Sequence, residues 1–213
     1  MTGQSLQKTA NEQQGRVYIL RHGAVESSAG GKHYIGQKDL ALSDIGLQQA
    51  NAWADYFSSA ALEAIYCSDL ARCLETARII ASRCSLKPQV LPELREISLG
   101  AWEGLSFEAV KRQYLQEFEK RGEQIADHRP PRGESFRDLQ DRVWPVFEAV
   151  VRRHRSKTLI VTHAGVIRVL VCRLLGMPLE NLFAIGQDYG ALNIIDARPK
   201  HHRVQVLNLK PPV

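Results

Sequence analysis

Two histidines that each follow a short apolar run are the first residues of this 213-residue chain with chemical potential: His22 after Val17-Tyr18-Ile19-Leu20-Arg21, and His163 after Thr158-Leu159-Ile160-Val161-Thr162. Gly23 and Gly165 follow them closely, and a glycine lets backbone approach a ligand. A neutral imidazole is a competent nucleophile or acid–base group near pH 7. Arg21 precedes His22 directly, and Arg72 follows a further β-prone run, Ala64-Ile65-Tyr66-Cys67. Guanidinium forks match phosphate oxygens bidentately, so two of them around one point specify a tetrahedral dianion. Glu93 or Glu96 supplies a carboxyl group able to protonate a leaving alkoxide. The set suffices for metal-free cleavage of a phosphate ester through a phosphohistidine.

These residues act together only if the fold brings them together. The runs at 17–20, 64–67, 88–91 and 158–162 read as strands. Helical spacing of apolar residues marks 43–57, 135–155 and 166–175, and a helix capped by Ser68 and Asp69 runs to about Arg83. Strands alternating with helices predict a three-layer α/β/α sandwich around a mostly parallel sheet, with a closing hairpin at 192–195 and 204–209. In such sheets ligands sit beyond the carboxyl ends of the strands, where both histidines fall. Either histidine alone reads as a structural residue; as a pair they mark one crevice. A charged helical stretch at 106–125, closed by Pro130, Pro131 and Gly133, predicts a small cap-like insertion over 105–134. Its Lys111 to Glu123 portion reads as a solvated helix face.

Composition bounds the rest. At 44% hydrophobic and 24% charged the chain reads as a single soluble domain over 16–213 with a loose polar tail at 1–15. No run is long enough to span a membrane, and the tail lacks the build of a secretion signal, so a cytoplasmic protein is expected. Cys67, Cys73, Cys84 and Cys172 form no C-x-x-C pair and read as reduced thiols used as small hydrophobes. His128, His154, His201 and His202 have no partner pattern and read as surface residues. Zinc, Walker and dinucleotide motifs are absent, so neither metal nor cofactor is implied. The net charge of +5 arises at the end of the chain: four of the 28 Lys and Arg residues follow Asp196, the last acid, which leaves 24 basic against 23 acidic groups before them. The basic balance therefore argues for a local phosphate pocket and against nucleic acid as partner.

Four ordered segments carry a family resemblance: Leu20-Arg21-His22-Gly23, Ser68 to Ala77, Leu94 to Gly104, and Val161-Thr162-His163-Ala164-Gly165. They resemble the signatures of the histidine phosphatase superfamily, with its phosphoglycerate mutase-like fold. The resemblance implies His22 as the phosphorylated nucleophile, Arg21, Arg72 and His163 as the phosphate pocket, and Glu96 as the proton donor. Gly23 and Ala164 are implied as further substrate contacts. The family's Glu-Thr-x-x-Asn continuation is missing; the chain reads Ala24-Val25-Glu26-Ser27-Ser28, and Ser28 is the expected substitute for the Asn. Trp102 and Glu103 are expected to fix their loop, and the 26–37 loop to form either a substrate rim or a solvated surface. The segment Arg95 to Gly100 lacks the Glu-Arg-x-Tyr-Gly of mutases, so the resemblance favours a phosphatase of a small ester over a mutase-type phosphotransferase or a non-catalytic phosphate binder. It is strongest to the branch of α-ribazole phosphatase and broad-specificity phosphatases, with α-ribazole 5′-phosphate as the example ester. Monomer and homodimer both stay open.

Overall fold

The computed structural model describes residues 15–26, 32–154, 156–197 and 202–212. Among them, strands β1 (Gly15–Arg21), β2 (Leu62–Cys67), β3 (Gln89–Val90), β4 (Lys157–Thr162), β5 (Leu192–Ala197) and β6 (His202–Leu209) form one sheet in the order β3-β2-β4-β1-β5-β6. The first four in that order run parallel, β5 is antiparallel to β1, and β6 is antiparallel to β5. The helices are α1 (Asp44–Ser58), α2 (Ala71–Cys84), α3 (Phe107–Gln113), α4 (Leu115–Glu123), α5 (Phe136–Arg153) and α6 (Ala164–Leu175).

Successive side chains of a strand face opposite ways, so strands buried on both faces read as continuous apolar runs. Tyr18, Leu20, Ile65 and Val161 pack in one core with Trp53 and Phe57 of α1 and Ile80 of α2. Val17, Ile19, Tyr66 and Ile160 pack in the other with Leu139 and Phe147 of α5 and Leu170 of α6. The expected three-layer α/β/α sandwich results. β6 closes one edge, with Arg203 exposed on it, and a charged edge discourages pairing with another chain. Among the described residues no helix is long and apolar enough to cross a membrane. Cys67, Cys73 and Cys172 are buried free thiols.

Several local expectations need correction. The helix over 106–125 is two helices, because Tyr114 leaves helical geometry at φ −133°, ψ 44° and turns its ring toward Trp102. α2 starts at Ala71 without a cap from Ser68 or Asp69. Asp69 is held by a bidentate Arg95, and the Ala71 N–H donates instead to Asp39 Oδ1 at 2.8 Å. Nor are the remaining histidines surface residues. His128 is buried with its Nε2 3.4 Å from the Glu117 carboxylate, His154 bridges Tyr66 Oη and Glu63, and His202 packs edge-on to Phe147. A flat imidazole packs on aromatic rings, and His128 Nε2 and His202 Nδ1 are buried there without a hydrogen-bond partner among the described residues, which spacing along the chain does not reveal. His201 and the tail at 1–14 lie outside the described residues; Gly15 already belongs to β1.

Candidate active site

Register positions the crevice. Arg21 pairs with Thr162 across β1 and β4, and Cys67 with Val161 across β2 and β4. The ladders continue one step further: the His22 N–H donates to Thr162 O at 3.0 Å and the Ser68 N–H to Val161 O at 3.1 Å. Three chain segments therefore leave the sheet side by side, and the His22 and His163 rings lie 5.1 Å apart. Beyond His22 the backbone presses against the start of α1. A Cβ on Gly23 would lie 2.5 Å from Gly46 O and 2.8 Å from Gly46 Cα. Gly23→Ala is thus expected to cost about 1–3 kcal/mol, as overpacking against backbone does, and urea unfolding will measure it.

Hydrogen bonds assign the histidine tautomers. His22 Nδ1 lies 2.8 Å from Gly23 O, which can only accept, so Nδ1 carries the proton and Nε2 is left with a lone pair. Arg72 Nε, a donor, lies 3.2 Å from that Nε2 and 3.3 Å from His163 Nδ1. His163 Nε2 then donates to Ser68 Oγ at 3.0 Å. The terminal nitrogens of Arg72 donate to Lys38 O (2.8 Å) and Gly36 O (2.7 Å), which ties the rim of the crevice to its floor.

A cavity of about 280 Å³ opens over this floor, lined by Arg21, His22, Arg72, Glu96 and Ala164 among others. Arg21 is stacked 3.7 Å from the Tyr189 ring centroid and donates from Nη1 to Gln187 O, while its Nε is buried with no partner. Both Glu96 oxygens accept backbone N–H groups, Oε1 from Ile97 at 3.0 Å and Oε2 from Gly165 at 3.1 Å. A side chain at Gly165 would collide with Glu96 Oε1, so the glycine makes room for the carboxyl group.

Similarity to known proteins agrees with this geometry. The family model for the histidine phosphatase superfamily (branch 1) matches residues 17–210. The chain belongs to the histidine phosphatase superfamily. It is 28% identical to the adenosylcobalamin/α-ribazole phosphatase of Escherichia coli, over 91% of this chain and 95% of that one. It is 30% identical to phosphoserine phosphatase 1 of Hydrogenobacter thermophilus, over 91% and 92%. The solved structure of a mycobacterial glucosyl-3-phosphoglycerate phosphatase superposes with a TM-score of 0.82 at 28% identity, covering 92% of this chain and all (100%) of that one.

In this histidine phosphatase, burial, reinforced by the charges of Arg21 and Arg72, holds the His22 imidazole well below its ordinary value of 6.5. Burial, then His22 and Arg72, does the same to His163. Below 6.5 the unfolded chain takes protons on both rings while the native protein does not, so stability rises with pH there. This contribution is complete above 6.5 and is lost as pH falls toward the depressed native values. Thermal melts between about pH 7 and 5 are expected to show Tm falling with pH, less steeply in His163→Gln than in the parent.

The histidine phosphatase brings Arg21, His22, Arg72 and Glu96 to one cavity wall, with Ala164 beside them. His163 is fully buried behind Arg72 and is not on that wall, and Gly23 serves through its carbonyl to orient His22. Ser28 lies outside the described residues. His33, Tyr34, Ile35 and Gly36 line the cavity, so this part of the loop is rim. Glu103 Oε1 accepts the N–H groups of Leu99 and Gln37, fixing the loop as expected. Arg142 escaped the sequence reading. Its guanidinium donates to the carbonyls of Glu93, Arg95 and Glu96 while gripping Glu134, and so holds the turn that carries Glu96. Nothing in its spacing on α5 marks it. Arg121 and Arg168 also line the cavity, and Arg121 did leave a signal: it falls on the apolar stripe of Tyr114, Phe118 and Ile125.

Proposed function

We propose that this histidine phosphatase hydrolyses small phosphate monoesters with His22 as the phosphorylated nucleophile. The observation that carries the reading is the buried, unpartnered Nε of Arg21 on the wall beside His22. A buried donor left without an acceptor costs about 1–3 kcal/mol, and a phosphate oxygen there removes the cost. His22 Nε2 attacks phosphorus in line as the bond to the ester oxygen breaks. Glu96 passes its proton to that leaving oxygen, and the guanidiniums of Arg21 and Arg72 meet the charge on the equatorial oxygens. His163 acts as a positioning residue, since its Nδ1 holds Arg72 Nε. Glu96, now ionised, takes a proton from water as the water attacks phosphorus, and the P–N bond pair returns to Nε2. Phosphate leaves and both groups are restored.

The test is a phosphomonoester panel in EDTA that includes α-ribazole 5′-phosphate, 3-phosphoglycerate and p-nitrophenyl phosphate, followed by acid and alkaline quench. Release of phosphate with an acid-labile, alkali-stable phosphoryl group on the protein is expected. Absence of both would remove the reading.

A further inference from the structure

The two arginines beside His22 are held by different means. Arg72 donates to four acceptors, at His22, His163, Lys38 and Gly36. Among the described residues, Arg21 has a single side-chain hydrogen bond, from Nη1 to Gln187 O at 2.6 Å, and its Nε is buried without a partner. Burial lowers the Arg21 pKa, the mark of a cation with little water around it. One hydrogen bond leaves a planar group free to turn about it. What fixes the plane is Tyr189, whose ring centroid lies 3.7 Å from the guanidinium carbon, the distance of a stacked pair. The same ring lines the cavity and lies 5.5 Å from the His22 ring. Tyr189 is itself placed with little freedom, in a turn over 188–191 closed by the Ala191 N–H donating to Asp188 O at 3.2 Å. From α1, Gln49 Nε2 donates to Tyr189 O at 3.2 Å and Trp53 Nε1 to Gly190 O at 2.6 Å. The Gly190 N–H donates to His22 O at 3.0 Å, and the Arg21 N–H to Ala191 O at 2.9 Å. Before the turn, Gln187 is locked in a reciprocal amide pair with Asn193, at 2.8 and 3.0 Å, and both are buried. The turn is therefore built onto the backbone of Arg21 and His22. The Tyr189 hydroxyl forms no hydrogen bond with a described residue, so the engaged part of the side chain is its ring.

We propose that Tyr189 is a positioning residue for phosphoryl transfer: its ring fixes the plane of the Arg21 guanidinium beside His22, so that the Nε edge meets the phosphate oxygen as His22 attacks. A donor oriented in advance stabilises developing charge without rearranging, and a misplacement of about 1 Å can cost about 10²-fold. The proposal rests on the phosphomonoesterase reading above. Its test is a mutant cycle in kcat/KM for p-nitrophenyl phosphate, whose leaving group needs no proton. Tyr189→Leu is expected to lower kcat/KM by roughly 10- to 100-fold in the parent and again in an Arg72→Met background. In an Arg21→Met background the further loss should stay under about twofold, because a residue that acts through Arg21 has nothing left to act on. Tyr189→Phe, which keeps the ring, should restore most of what Tyr189→Leu loses. Thermal melts check folding, and Tyr189→Met replaces Tyr189→Leu if the latter does not fold. The role is overturned, with the phosphatase reading intact, by an undiminished loss in Arg21→Met, by a loss that Arg72→Met abolishes equally, by no loss in the parent, or by equal losses in Phe and Leu. A parent that releases phosphate from no ester removes both readings.

Discussion

His22→Ala is expected to lower kcat on every ester by on the order of 10⁴-fold or more, the scale seen when a covalent nucleophile is removed. Among the described cavity-lining residues, His22 Nε2 is the imidazole nitrogen to which the hydrogen bonds assign a lone pair, because Nδ1 is committed to Gly23 O; that lone pair accepts only a long contact from Arg72 Nε, at 3.2 Å. Other effects of the substitution are small beside this. Arg72 keeps three of its acceptors, at His163, Lys38 and Gly36, so the phosphate pocket stays assembled. Phosphate binding measured by calorimetry should therefore survive within about tenfold while turnover and the acid-labile phosphoenzyme vanish. A variant that still turned over at near-parent rate would place the nucleophile elsewhere.

The second large effect belongs to Glu96→Gln, and its size should depend on the leaving group. An alkoxide cannot leave unprotonated at neutral pH, so loss of the acid should slow alkyl esters by roughly 10²- to 10⁴-fold. p-Nitrophenolate needs no proton to depart, and the first step should then be nearly unaffected. Water activation still lacks its base, so phosphohistidine should accumulate with a burst of nitrophenol in stopped flow. Glutamine keeps one acceptor oxygen but turns an NH₂ toward one of the two N–H donors that Glu96 satisfies, at Ile97 and Gly165. A melt should register that loss at about 1–3 kcal/mol, distinct from the kinetic effect. Equal slowing of the phosphorylation step for alkyl and nitrophenyl esters, with no burst of nitrophenol, would count against Glu96 as the acid.

What the sequence could reveal followed from locality. The runs ending in Arg21-His22 and Thr162-His163 are local, and parallel pairing then forces their ends together. Arg72 and Glu96 were legible for the same reason, each following the carboxyl end of a parallel strand. The features that were missed depend on tertiary contact. Asp39 caps a helix that begins 32 residues later, and Arg142 reaches back 46 residues to the Glu96 carbonyl. Interleaved charge made α4 read as solvated, while Arg121 stood among Tyr114, Phe118 and Ile125 on the face that turns inward. His163 shows the converse limit: its position was correct, yet only the hydrogen bonds reveal that it grips Arg72 from behind rather than facing the cavity.

The pairing of β1 with β4 also bears on descent. A slip of one residue would turn every side chain of a strand buried on both faces, so the spacing of the two histidines is inherited through main-chain ladders and tolerates drift among apolar residues within the strands. Phe107, Arg121 and Phe183 reach the cavity from short helices outside the sheet, where substitution disturbs no ladder. Lineages that share the sheet are thereby free to keep one reaction and exchange the molecule it is performed on.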